Sequence, residues 1–170
     1  VVTAGGVSTF TVDEDCTPVF SGLTLGAFVA AATYDLDGDD VEELFAAHPD
    51  GSVSIYEGVG PGTFGDVTAG LAAGAPLSQL ECSDVNGDGL VDLIGLDAAG
   101  GQLRIFAGTA NGFHSEPRAV HLGTNPLAFD AADIDGDGCM DLIIGLAGSG
   151  GALILRNQWA SVGFGCAAVP

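Results

Sequence analysis

Asp84-Val-Asn-Gly-Asp-Gly-Leu-Val-Asp92, running straight into Leu93-Ile-Gly-Leu96, is the stretch on which the fold turns. It has two relatives in the chain, Asp35-Leu-Asp-Gly-Asp-Asp-Val-Glu-Glu43 and Asp133-Ile-Asp-Gly-Asp-Gly-Cys-Met-Asp141. Their leading aspartates stand 49 residues apart in both intervals. A fixed period of this size is the signature of a repeat architecture.

The flanks repeat as well. Small and apolar residues precede each acidic turn (Phe28 to Tyr34, Leu77 to Ser83, Leu127 to Ala132), and a short apolar run follows it (Leu44 to Ala47, Leu93 to Leu96, Leu142 to Gly145). A glycine turn comes next, at Asp50-Gly51, Gly100-Gly101 and Gly150-Gly151. Then an alternating segment places Val53 and Ile55, Leu103 and Ile105, and Leu153 and Leu155 on one face. Alternation with period two between glycine turns reads as strand, and no stretch sustains a helical period. Weaker fourth segments follow at Thr63 to Thr68 and Arg118 to Leu122. Four short antiparallel strands per unit match a propeller blade.

The expected fold is therefore all-β, a propeller-type array of four-stranded antiparallel blades. The expected boundaries within a single repeat domain are a partial blade at 1–26 and blades at 27–76, 77–126 and 127–170. Ser8 and Phe10 fall where Val53 and Ile55 fall, so the first residues read as the second half of a blade. Val162 to Val169 reads as the last strand of the final one. About three and a half blades lie below the usual four of a closed ring. The expectation is that copies of the chain, or another propeller segment, join side by side in an oligomer or filament.

The turns read as calcium cages. Calcium takes six to eight hard oxygens in flexible geometry. Turn positions 1, 3, 5 and 9 offer side-chain oxygens and position 7 a backbone carbonyl. The candidate ligands are Asp35, Asp37, Asp39, the carbonyl of Val41 and Glu43; Asp84, Asn86, Asp88, the carbonyl of Leu90 and Asp92; and Asp133, Asp135, Asp137, the carbonyl of Cys139 and Asp141. Gly87 and Gly136 at position 4, with Gly89 and Gly138 at position 6, allow the positive φ angles of a tight wrap. The first turn departs from this pattern, with Asp40 at position 6 and Glu43 at position 9. An EF-hand places its last acid at position 12 before a helix, whereas here a strand begins at position 9. Asp, Asn and Gly also make ordinary turns, but several carboxylates within a few Å repel unless a cation or protonation relieves them. Three structural Ca2+ ions would take the formal charge of −20 to about −14.

The pattern Asp-x-Asp-Gly-Asp-Gly-x-x-Asp-Leu, the later Gly-Gly-x-Leu-x-Ile-Phe and Arg-Asn segments, and Gly62-Thr-Phe-Gly65 resemble the FG-GAP/VCBS repeat of integrin α-subunit propellers and many secreted bacterial proteins. The similarity covers about residues 27 to 165, with 5 to 25 as a partial copy. It implies a β-propeller, calcium as a structural ion, and adhesion or ligand binding in place of catalysis.

Composition narrows the partners. There are 23 acids against three arginines and no lysine. Such a charge repels phosphate backbones and anionic headgroups, so nucleic acid is not an expected partner. Leu142 to Leu155, the longest apolar run, is too short to span a bilayer, so no membrane insertion is expected. Cys16, Cys82, Cys139 and Cys166 lack metal-site spacing and suggest two disulfides in an oxidising compartment, with buried free thiols as the alternative. The chain begins Val-Val without Met, as a mature or trimmed product would, and an extracellular location is expected.

Catalytic groups are scarce. His48, His114 and His121 are scattered and read as surface residues, and neither a Gly-x-Ser-x-Gly elbow nor a P-loop occurs. A non-enzymatic module is expected, with a propeller lectin as the alternative and a hydrolase or lyase on the same scaffold third. Trp159 would pack between blades or subunits, or stack on a glycan. Arg104 and Arg156 could pair with acids of a neighbouring blade.

Overall fold

In the computed structural model the described backbone covers residues 2–3, 6–12, 18–25, 27–60, 62–123, 125–148 and 150–157, with side chains described from residue 27 onward. The remaining residues, including Cys16, Trp159, Cys166 and the expected strand at 162–169, lie outside the described residues. All described regular structure is β, and every strand pairing is antiparallel. The chain divides into two compact units, Val1–Ser78 and Gln79–Pro170.

The first unit holds two sheets. Strands β1 (Val2–Thr3), β2 (Gly6–Val12) and β3 (Pro18–Leu25) form one, in that order. Strands β4 (Ala30–Tyr34), β5 (Glu43–Ala47), β6 (Ser52–Gly60) and β7 (Thr63–Ala72) form a four-stranded meander. Strand β5 is buried along its whole length, as expected of a central strand covered on both faces. Its Leu44 and Ala46 pack with Phe28, against which Ala31, Tyr56 and Phe64 close.

The second unit repeats the plan. Strands β8 (Leu80–Ser83), β9 (Asp92–Asp97), β10 (Gln102–Phe106) and β13 (Arg118–His121) make the four-stranded sheet in the order β13-β10-β9-β8. Between β10 and β13 a small hairpin intervenes, β11 (Gly108–Thr109) with β12 (Gly112–Phe113), which the alternation pattern does not announce. Strands β14 (Pro126–Ala132), β15 (Asp141–Leu146) and β16 (Ala152–Leu155) form a three-stranded sheet.

One apolar cluster joins these two sheets. It contains Ile94, Leu96 and Leu103 from the first and Phe129, Leu142 and Ile144 from the second, with Leu122. A polar seam runs beside it. The Gln79 side chain takes the Phe129 N–H on Oε1 at 3.0 Å and gives Nε2 to the Phe129 carbonyl at 2.7 Å. Two residues on, Glu81 Oε1 accepts the Ala131 N–H at 3.0 Å. Strand β14 thus has backbone groups satisfied by side chains of its neighbour, which keeps buried polar groups paired without sheet-to-sheet hydrogen bonding. Burial holds the Glu81 carboxyl above its ordinary value, with Asp130 adding to the effect and the Ala131 N–H opposing it.

Two expectations change here. Cys82 is a free thiol, pushed up to about 12 by burial and by Glu81 beside it, so four cysteines in two disulfides is not the arrangement. Arg104 pairs with Asp97 across β9 and β10 at 3.6 Å, and Arg156 with Asp135 at 3.1 Å, each within its own sheet unit and not with a neighbour. The first of these pairs is local because Asp97 and Arg104 flank one glycine turn, whose Gly100 N–H also caps Asp97 Oδ1 at 2.7 Å.

Asp97 is 3% exposed, yet its carboxyl lies below its ordinary value of 3.8. Burial raises it, but the Gln102 amide, the Gly100 N–H and the Arg104 guanidinium together outweigh that. A depressed folded value contributes stability above the unfolded value that disappears as pH falls through the folded one. Asp97→Asn is therefore expected to be less stable than the parent at neutral pH, with the gap narrowing once pH drops below 3.8. Urea midpoints of both proteins across that range measure it, and a gap that stays constant would contradict the assignment.

Candidate metal centre

Each acidic turn joins two adjacent strands at the same register. Tyr34 pairs with Glu43, Ser83 with Asp92 and Ala132 with Asp141, so eight residues, turn positions 1 to 8, loop out in each copy. The backbone is the same in all three. Position 4 has φ of 79° at Gly38, 75° at Gly87 and 77° at Gly136; position 6 has 66° at Asp40, 83° at Gly89 and 85° at Gly138. Asp40 thus adopts the left-handed conformation that its counterparts leave to glycine, which aspartate tolerates better than most residues.

The first aspartate organises the loop. Asp35 Oδ1 accepts from Gly38 N at 2.8 Å and Asp39 N at 3.1 Å, and Oδ2 from Asp40 N at 3.0 Å. Asp84 takes Gly87 N, Asp88 N and Gly89 N at 2.7, 3.3 and 2.8 Å. Asp133 takes Gly136 N, Asp137 N and Gly138 N at 2.7, 3.2 and 2.9 Å. The position-5 carboxylate accepts the position-7 N–H in every copy: Val41 to Asp39, Leu90 to Asp88, Cys139 to Asp137. These bonds turn the amides of the loop toward its acids.

The acids converge unequally. Oxygens of Asp35, Asp37 and Asp39 lie within 4.8 Å of one another, and so do those of Asp133, Asp135 and Asp141. In the second turn Asn86 stands at the third position, its Oδ1 accepting Asp88 N at 2.9 Å. The donors so gathered are carboxylate and amide oxygens, the hard set that suits calcium or magnesium and not zinc or copper. Asp137 and Glu43 stand outside the two tight groups. In the third turn Asp135 also meets Arg156, whose side chain is 59% exposed, a pairing worth little energetically.

Position 9 does something the spacing does not reveal. Glu43, Asp92 and Asp141 are all buried. One oxygen of each accepts the N–H of turn position 2: Leu36 at 2.7 Å, Val85 at 3.1 Å, Ile134 at 3.2 Å. The other accepts an N–H far along the chain, near or just beyond the end of the third strand: Gly58 at 3.3 Å, Gly108 at 2.8 Å, Asn157 at 2.7 Å. One carboxylate therefore ties the turn to the strand it opens and to the chain leaving the third strand. Burial raises Asp92 above its ordinary value, the Gly108 and Val85 N–H groups oppose the rise, and Asp88 and Asp84 add to it.

The partner residue is constrained in turn. A Cβ on Gly58 would stand 2.6 Å from the Glu42 carbonyl oxygen, and one on Gly108 would meet the Val91 carbonyl, in both cases turn position 8. Asn157, at the matching place in the third copy, sends Nδ2 to the position-8 carbonyl of Met140 at 3.4 Å and to the Val85 carbonyl at 2.8 Å.

Of the histidines, His48 is not a free surface residue. It is half-buried, hydrogen-bonded through Nε2 to Ser54 Oγ at 2.8 Å, with its ring edge-on to Phe28. His114 and His121 are exposed.

Residues 84–144 match the FG-GAP-like repeat family. No curated protein matches the chain. Among solved structures, a chain of the Photorhabdus luminescens Tc holotoxin pore is similar, with a TM-score of 0.55 and 21% identity over 91% of this chain. This chain spans 8% of the length of that one, and the likeness is one of fold.

Gly108→Ala is expected to lower stability by roughly 1–3 kcal/mol, because the added methyl overlaps the Val91 carbonyl and prises the amide from Asp92. Gly145→Ala, where the nearest atom would be the Ala128 carbonyl oxygen at 3.9 Å, is the control and should be neutral or slightly stabilising. Guanidinium midpoints decide; equal losses at both sites would contradict the role given to Gly108.

Proposed function

We propose that this chain, whose residues 84–144 match the FG-GAP-like repeat family, is a calcium-stiffened, propeller-type repeat segment that works by association and not by catalysis. The observation that supports this reading most is the convergence of hard oxygens within 4.8 Å at the first and third turns, on a backbone shared by all three. Asp35, Asp37 and Asp39, with the carbonyl of Val41 and Glu43, would hold one ion; Asp84, Asn86, Asp88, the carbonyl of Leu90 and Asp92 a second; Asp133, Asp135, Asp137, the carbonyl of Cys139 and Asp141 a third. Bound calcium would supply positive charge where the carboxylates crowd. The residues themselves orient the loop, bury the position-9 acid and fix the end of the third strand.

Rigidity is what such a device contributes. The acids sit at strand connections, bonded to backbone amides, in the arrangement of a structural site and not of a pair poised for proton transfer. The fold likeness to part of a Tc holotoxin chain supports the β-rich repeat fold of this reading; the module is proposed to work within a larger extracellular assembly. Its partners would then be copies of itself or other propeller segments, with protein or glycan ligands engaged by the assembled surface. In a calcium-rich extracellular medium, the location proposed here, divalent ions would offset the self-repulsion of the −20 charge.

Each ion at about 100 times its dissociation constant stabilises the fold by roughly 2.7 kcal/mol. The melting temperature is expected to fall markedly in excess EGTA and to return when calcium, but not potassium, is restored. Identical melts in EGTA and calcium would overturn the proposal.

A further inference from the structure

Two of the four asparagines, Asn86 and Asn111, are followed by glycine. The dipeptide is the same, but a carboxylate holds the glycine N–H and two bonds hold the side-chain amide only at Asn86, while Gly112 is a ladder residue paired with Thr109. We propose that Asn111 is a site of spontaneous deamidation in the folded protein, and that the second turn shields Asn86 from the same reaction.

The chemistry needs only water. The backbone nitrogen of the following residue loses its proton and attacks the asparagine Cγ. A C–N bond forms, ammonia leaves, and a five-membered succinimide remains. Water then adds at either ring carbonyl, giving aspartate or isoaspartate. Glycine in the second place, lacking Cβ, lets its nitrogen reach Cγ with the least obstruction. What decides the rate is whether that nitrogen can lose its proton and whether the side-chain amide can swing over it.

At Asn86 neither is free. The Gly87 N–H is held by the Asp84 carboxylate at 2.7 Å, and a negative oxygen against the proton opposes its loss. The side-chain amide is fixed at both ends, Oδ1 accepting from Asp88 N at 2.9 Å and Nδ2 donating to Asp92 Oδ1 at 3.2 Å. Reaching the succinimide would break all three bonds. Asn111 sits instead at the exposed tip of the β11–β12 hairpin. Its own N–H meets Thr109 Oγ1 at 3.3 Å, while its side-chain amide holds no hydrogen bond among the described residues.

The products matter differently. At Asn111 the chain gains a charge, or an extra backbone methylene, on an outer loop. At Asn86 aspartate would put a third-position carboxylate where Asp37 and Asp135 already stand, and isoaspartate would lengthen the backbone inside the turn. The hydrogen bonds that shape the second turn also preserve its amide.

The test is time-resolved peptide mapping by mass spectrometry of the intact chain held at mildly alkaline pH, in native buffer and in concentrated urea. In native buffer the Asn111 peptide should gain one mass unit roughly tenfold or more faster than the Asn86 peptide. In urea the two rates should converge, since the dipeptide is shared. Comparable native rates, or an Asn111 peptide that does not change, would overturn the proposal. So would a gap that persists in urea, because it would place the difference in neighbouring sequence and not in the fold.

Discussion

Everything in the three repeat units is hung on a buried carboxylate with two backbone amides to satisfy. Asp92 shows the arrangement most fully: one oxygen on Val85 N, the other on Gly108 N, the residue itself fully buried. A buried anion without such partners would cost several kcal/mol. With them it becomes a strut between the turn, the strand it opens and the end of the strand after next. Glu43 and Asp141 repeat it, and the glutamate spans the same gap with one more methylene.

From that strut the rest follows. Holding the turn against the third strand brings Gly58 and Gly108 so close to a carbonyl that no side chain fits. It fixes the loop so that the position-1 aspartate collects three amides, and those amides aim the remaining acids inward. The apolar cluster around Leu96, Leu103 and Ile144 supplies the bulk of the second unit's stability. The Gln79 and Glu81 seam sets the alignment of β8 with β14. Crowded acids are thus a consequence of how the strands are joined, and a divalent cation is the natural relief for them.

Much of this was legible in the sequence. The 49-residue period, the strand order and the left-handed positions at Gly87 and Gly89 all follow from local rules of alternation and turn chemistry, and even Asp40 keeps the shape. Contacts between distant positions were not legible. Nothing in the string marks Gly58, Gly108 and Asn157 as one structural position, because 15 or 16 residues separate each from its acid and the third is not a glycine. Arg104 and Arg156 looked available to neighbours but find acids nearer home, and Cys82 counts toward an even number without being bonded. His48 reads as surface because its cover, Phe28 before β4 and Ser54 on β6, comes from elsewhere in the chain. Spacing marks the position-9 acid as a ligand; its burial and second bond belong to tertiary structure.

Turn and third strand form one cooperative unit through this carboxylate. Amide hydrogen exchange followed by NMR tests it most directly. The account predicts that Val85 and Gly108 exchange together, at rates close to those of the β9 core amides Ile94 and Leu96, and that Asp92→Asn releases both without releasing the core. Rapid, independent exchange of Gly108 beside a protected β9 would contradict it.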